Sequence, residues 1–394
     1  MASACGFRSF FIGGFECSTH RLFQGKRLDL IAATQHDRFC ESDYARLREI
    51  GISSTRDGVR WHLIETRPYS YDFSSLIPML RAARITGMQV IWDIFHYGWP
   101  DDLDIFSPEF LRRFGAFARE VARVVSNETD DVPYFCPVNE ISFFAWGAGD
   151  LAVLNPFAQG RGEELKAQLV RAAIVGIDSV RSVAPHARFV QVDPVINVVT
   201  SPDESEAGRR AAATHNRAQF DGWDMLSGRL HPGLGGTPQH LDIVGANYYV
   251  HNQWVYQGKF IEPSDPRYRP LHEILGELYR YYSRPQFIAE TGIEDERRPE
   301  WLRYICDEVV EAIRRGIPVE GICLYPILNY PGWDDERHCY AGLWDSCDGS
   351  GNREIYAPMA QELERQQTRI HQLLLSSTAV SSGVQTVSNA GVNG

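Results

Sequence analysis

Tyr134-Phe135-Cys136-Pro137-Val138-Asn139-Glu140 is the stretch on which the reading of this chain turns. Five apolar or aromatic residues run into an amide and a carboxylate. A short apolar run reads as a buried strand, and a polar closing pair marks the end at which such a strand carries function. Phe287-Ile288-Ala289-Glu290 repeats the pattern. Working outward, eight runs of this kind appear: Phe10–Cys17, Ser53–Trp61, Gln89–His96, Tyr134–Glu140, Arg188–Asp193, Ile243–Tyr249, Gln286–Glu290 and Gly321–Pro326.

Amphipathic stretches separate them. Glu41–Ile50 carries Tyr44, Leu47 and Ile50 at helical spacing, and Ser74–Ile85 stops at Gly87. A helix opens at Ser107 with Pro108 and Glu109 in its first turn and lines Phe110, Phe114, Phe117, Ala118 and Val121 along one face. Glu163–Val183, Glu206–Gly228, Pro270–Tyr282, Pro299–Gly316 and Tyr356–Leu374 complete the set. Strands alternating with helices predict a parallel sheet, and eight such units predict an α/β fold, a closed (β/α)8 TIM barrel forming a single domain. An open doubly wound sheet is the alternative. It is weakened where Gly13-Gly14 runs into Phe15-Glu16 instead of a dinucleotide-binding G-x-G-x-x-G. The barrel is expected over residues 1–375. Residues 376–394 are Ser, Thr, Ala, Val, Gly, Asn and Gln with no charged side chain, and are expected to form a disordered tail.

The 394 residues carry a formal charge of −12, which repels a phosphate backbone and argues against a nucleic-acid partner. The eight cysteines include no C-x-x-C pair, and Cys17, Cys136 and Cys323 fall in apolar runs; they read as reduced thiols of a cytoplasmic protein. Cys339, Cys347 and His338 match no standard zinc spacing, so no metal or other cofactor is expected. Phe10-Phe11-Ile12 is too short for a signal peptide and reads as a first strand. No run of 18 apolar residues suggests a membrane span. The sequence leaves the oligomeric state open.

In a barrel the C-terminal ends of the strands carry the chemistry. Here those ends hold Arg56, His96, Asn139-Glu140, Asn247-Tyr248-Tyr249 and Glu290. One buried Glu alone is more simply a structural carboxylate paired with an Arg. Two, on the fourth and seventh strands, point to acid–base and nucleophilic work across one bond.

The same residues resemble glycoside hydrolase family 1, within the clan of retaining barrel β-glycosidases. Tyr134–Glu140 resembles its strand ending in Asn-Glu, and Ile288-Ala289-Glu290-Thr291-Gly292 its Thr-Glu-Asn-Gly strand. Arg56 to Trp61 resembles Arg-Phe-Ser-Ile-Ser-Trp; Phe95-His96-Tyr97-Gly98-Trp99-Pro100 resembles Tyr-His-Trp-Asp-Leu-Pro; Asn247-Tyr248-Tyr249 matches Asn-Tyr-Tyr. The matches run in order from residue 10 to about residue 345. The resemblance implies Glu140 as general acid/base and Glu290 as nucleophile, in an exo-acting enzyme hydrolysing a small β-glycoside. Carboxyl groups about 5 Å apart would give retention through a covalent intermediate. It further implies that Arg56 and Tyr249 steady Glu290, that Asn139 meets the sugar 2-hydroxyl and His96 its neighbour, that Asn247 supports the site, and that Trp333 stacks on the sugar.

The sugar-gripping end departs from the family. Phe15-Glu16-Cys17 occupies the region where the family has a Gln, and Glu16 is the nearest polar group. Gly332 stands where it has a Glu, with Asp334, Asp335 and Glu336 as replacements from the same loop. The glycone pocket is therefore expected to differ. A transglycosylase using the same Glu pair and a non-catalytic sugar-binding barrel are the competing readings. A metal-dependent barrel hydrolase is set aside because no His-x-His follows the first strand.

Overall fold

The computed structural model describes residues 5–333 and 337–385. Eight parallel strands close on themselves: β1 (Phe11–Gly14), β2 (Ser54–Gly58), β3 (Gln89–Asp93), β4 (Tyr134–Cys136), β5 (Arg188–Pro194), β6 (Ile243–Asn247), β7 (Gln286–Thr291) and β8 (Ile322–Leu324). Each pairs with the next. The ring is sealed where Phe11, Ile12 and Gly13 of β1 lie opposite Ile322, Cys323 and Leu324 of β8. This is a single-domain (β/α)8 barrel, and the open-sheet alternative is excluded.

The helices follow the strands as the hydrophobic periodicity predicts. Pro108–Glu128 starts as expected, with the Ser107 hydroxyl accepting the Phe110 N–H at 3.3 Å. Its buried Phe110, Phe114 and Phe117 surround the Trp61 ring, which stacks on Phe117 at 5.2 Å. Burying such side chains contributes about 1.5–3 kcal/mol each, an upper figure because unfolded chains are partly collapsed. Other boundaries differ from expectation. The single helix expected over 206–228 is two, Glu206–Ala218 and Asp221–Leu226. The second of them carries Trp223 beneath β5, where its Nε1 donates to the Gln191 carbonyl at 3.0 Å. β4 ends at Cys136, because Pro137 has no N–H for the ladder. The last helix, Ala357–Gln385, runs past the boundary at 375; the run after 375 holds no proline, and adding a turn to an existing helix costs little.

Inside the ring, Ile12, Ile91, Cys136, Val190, Val192, Phe287 and Ala289 pack around the axis. A second, larger core lies between strands and helices. The segment at Cys5–Phe7 plugs the lower end: Tyr134 donates to the Cys5 carbonyl at 2.8 Å, and Phe7 packs on Phe287. With the lower end plugged and the middle apolar, polar groups gather at the upper mouth. No disulfide joins any of the eight cysteines, and seven are buried. Among the described residues no helix is long and apolar enough to cross a membrane.

Candidate active site

Strict strand alternation would not bring the key side chains together; three local irregularities do. On β7, Phe287 and Ala289 face the axis and Ile288 the outer core, so Glu290 is due to point outward. A register shift between Ile288 and Glu290 against β6, matched by one against β8, turns it into the mouth. After β4 the phase slips at Pro137, and Val138 packs in the outer core. Glu140 then takes a left-handed backbone (φ 46°, ψ 62°), which swings its side chain inward beside that of Asn139. The segment stays tied to both neighbours, Asn139 N–H to the Phe95 carbonyl and Glu140 N–H to the Val192 carbonyl. Beyond β3, Tyr97 is also left-handed (φ 68°), so His96 and Tyr97 both reach the mouth.

One hydrogen-bonded network joins these groups. Arg56, fully buried on β2, donates to Glu290 Oε1 at 3.0 Å, to Asp93 Oδ2 at 2.6 Å and to Asn139 Oδ1 at 3.1 Å. The Tyr249 hydroxyl donates to the other oxygen of Glu290 at 2.9 Å. Glu140 receives Asn247 Nδ2 on Oε1 at 2.8 Å and the Tyr97 hydroxyl on Oε2. Asn247 is itself the register partner of Glu290, so the residue that holds Glu140 sits beside Glu290 on the neighbouring strand. Arg56 fixes the Asn139 amide with its oxygen toward the guanidinium, which leaves Asn139 Nδ2 donating to His96 Nε2 at 3.1 Å. His96 Nδ1 then carries the proton and donates to Asp93 Oδ2 at 3.0 Å. Asp93 also draws the ring toward its cationic form, but a second proton on Nε2 would meet the Asn139 amide hydrogens and require Asn139 to release Arg56.

The electrostatics separate the two acids. Burial, and then the charge of Glu290, lift the Glu140 pKa from 4.5 to about 8. Burial also lifts Glu290, but Arg56, His96 and the Tyr249 hydroxyl oppose it. The pair therefore gives up its first proton from Glu290, beside the guanidinium, and holds the second on Glu140. Asp93 is buried, yet Arg56 and His96 hold its carboxyl below the ordinary range.

The remaining sequence-predicted residues fall nearby. Trp333 is partly buried, edge-on to His20 at 5.0 Å and to Tyr97 at 5.9 Å. Glu16 follows β1, buried, with Oε1 accepting Ser18 N–H at 2.9 Å and the Ser18 hydroxyl at 2.5 Å. Asp334, Asp335 and Glu336 lie outside the described residues. Sequence reading missed Asp93, Tyr97, Cys17 and His20. Asp93 had a signal, a carboxylate inside the apolar run Val90-Ile91-Trp92-Asp93-Ile94. Tyr97 had none, since its reach depends on a backbone twist. Cys17 Sγ lies 3.0 Å from His96 Nδ1, and together with Asp93 these form a grouping of potential metal donors. Asp93 is already committed to Arg56, and burial keeps the Cys17 thiol protonated; both work against ligation. The sulfur also meets the same ring nitrogen as Asp93, so the three cannot relay a proton as a nucleophilic triad would.

The sequence matches no protein-family model and no curated protein. Its fold is similar to solved structures. A family 1 β-glucosidase from Thermotoga maritima superposes with a TM-score of 0.73 at 15% identity, covering 91% of this chain and 98% of that one. The virulence factor SghA from Agrobacterium tumefaciens gives 0.73 at 17% identity, covering 91% and 97%. An enzyme called AHE from Alicyclobacillus herbarius gives 0.75 at 15% identity, covering 92% and 98%. At such identities the likeness establishes the barrel.

Proposed function

We propose that this chain is a retaining, exo-acting β-glycosidase that hydrolyses a small β-glycoside. The observation that carries the proposal is the opposed pair at the mouth: Glu140 held neutral with Asn247 donating to it, and Glu290 beside a guanidinium. A binding site alone has no need of two carboxyl groups with opposed titration. Among the fold neighbours, the Thermotoga maritima β-glucosidase is known in complex with glucoimidazole, which agrees with a small sugar-like ligand.

The reaction follows from the network. The Glu290 carboxylate attacks the anomeric carbon as the glycosidic C–O bond breaks, and the Glu140 proton passes to the departing oxygen. Arg56 and Tyr249 hold Glu290 in line and donate to it as its charge is lost. Once Glu290 is an ester, the main charge holding up the Glu140 pKa is gone. Glu140 then accepts a proton from water as the water oxygen attacks the anomeric carbon and frees Glu290. Asn139, locked by Arg56, presents its amide beside the 2-hydroxyl. Eight cysteines with no disulfide among them fit a reducing, cytoplasmic setting.

Trapping tests the reading. Activated 2-fluoro glycosides of several configurations should label the protein, and peptide mass spectrometry should place the sugar on Glu290. Labelling elsewhere, or no turnover across a broad panel of aryl β-glycosides, would remove the assignment.

A further inference from the structure

Glu16 is 6% exposed, and its Oε1 is satisfied by Ser18. Its second oxygen has no partner, and no Lys, Arg or His side chain pairs with it, among the described residues. A buried carboxylate without a counter-charge is costly unless something else supplies one. The mouth as a whole shares the imbalance. Asp93 and Glu290 share the Arg56 guanidinium, Glu16 adds a third carboxylate that acts on Glu290, and even a cationic His96 would leave carboxylates in excess. Glu16 is close enough for its charge to raise the pKa of both Glu290 and His96.

Two further groups, packed on Tyr97 at the same mouth, are unsatisfied among the described residues. His20 is fully buried with neither ring nitrogen hydrogen-bonded there, and the Trp333 Nε1 against which it packs has no acceptor there either. Burial pushes His20 down to about 4, so it offers one donor and one acceptor and no charge. These groups belong to the glycone side. Glu140, which must meet the leaving group, follows β4, and Glu16 follows β1, three strands away around the ring. From Glu290 the hydrogen bonds run through Arg56 and Asn139 to His96, on which the charge of Glu16 acts, so a sugar with its anomeric carbon at Glu290 and its leaving group at Glu140 would turn its far carbons that way.

We propose that the glycone is an amino sugar whose ammonium group, on a carbon beyond C2, pairs with the free oxygen of Glu16 while His20 and the Trp333 N–H take neighbouring hydroxyls. Hydroxyl groups alone would hydrogen-bond Glu16 but leave its charge uncompensated. The proposal rests on the glycosidase reading above and names its substrate class.

The test uses matched pairs of 4-nitrophenyl β-glycosides, with hydroxyl or amino at C3 or at C4, assayed on wild type and on Glu16→Gln. The Gln side chain keeps the acceptor for Ser18, so folding is preserved. One amino member should exceed its hydroxyl twin in kcat/KM by at least tenfold. Glu16→Gln should cut that member by about 30-fold or more, the lower end of what losing one partner of a buried ion pair costs, and collapse the preference. Calorimetry of the matching methyl glycosides on Glu290→Gln supplies a readout independent of turnover. Turnover of hydroxyl members with no amino preference, or a preference untouched in Glu16→Gln, overturns the assignment and leaves the glycosidase reading intact. Glu16-dependent binding of an amino member with no turnover of any substrate sinks the glycosidase reading and keeps the cation site.

Discussion

Tyr97 and Asn247 each donate to a different oxygen of Glu140, and both bonds favour the charged form against burial and Glu290, which oppose it. The alkaline limb of kcat/KM should therefore fall near pH 8, where Glu140 loses its proton, and the acid limb should report protonation of Glu290. Tyr97→Phe removes one bond to the charged form, so the alkaline limb should move to higher pH. A limb that stays fixed or moves down would detach Tyr97 from the acid. Glu140→Gln should cost about 10²–10⁴-fold with poor leaving groups and much less with nitrophenolates, which need little protonation. Equal losses across a leaving-group series would count against the acid role.

At the scale of elements, the strands and helices were legible because an apolar run of five or six residues and a 3.6-residue stripe are local signals. The direction in which Glu290 points was not. Its neighbours Phe287 and Ala289 predict the outward face, and only the register against β6 and β8 reverses this. Likewise, the pairing of Arg56 with Asp93 joins strands that sequence reading treats separately. A second buried network escaped notice entirely. His36, on the helix His36–Glu49, sits between Asp43 and Asp57 at 2.8 Å from each, stacked on Phe15 next to Glu16. Burial lowers its pKa, but the two carboxylates outweigh this and raise it from 6.5 to about 9. The folded value lies above the unfolded one, so the imidazolium contributes fully below pH 6.5, and the contribution is lost as pH rises through 9. Its size is on the order of 3 kcal/mol. Denaturant unfolding of wild type should weaken across that window. His36→Gln should be less stable at pH 6 and show a flatter profile between 6.5 and 9; parallel profiles would refute the cationic His36.

For the whole molecule, the barrel expected from eight repeated units is the one found, and length did not mislead into two domains. The last helix buries Met359, Leu363 and Ile370, whereas Leu374 and Leu375 are largely exposed. Residues 377–394 hold no charged, aromatic, Leu or Ile side chain and so have little to bury, and we expect their removal to shift the melting temperature by less than about 2 °C. A loss of ten degrees would mean that this stretch belongs to the barrel.

Because the seven enclosed sulfurs are spread from Cys5 under the ring to Cys339 above it, with Cys347 alone partly reachable, the chain carries its own tally of how far it has opened. A brief pulse of maleimide on the native protein should add one adduct, at Cys347. Pulses along a urea series, weighed intact, should jump from one adduct to eight if the barrel comes apart at once. At a plateau between those masses, peptide mapping of the adducts would say which arc of the ring lets go first.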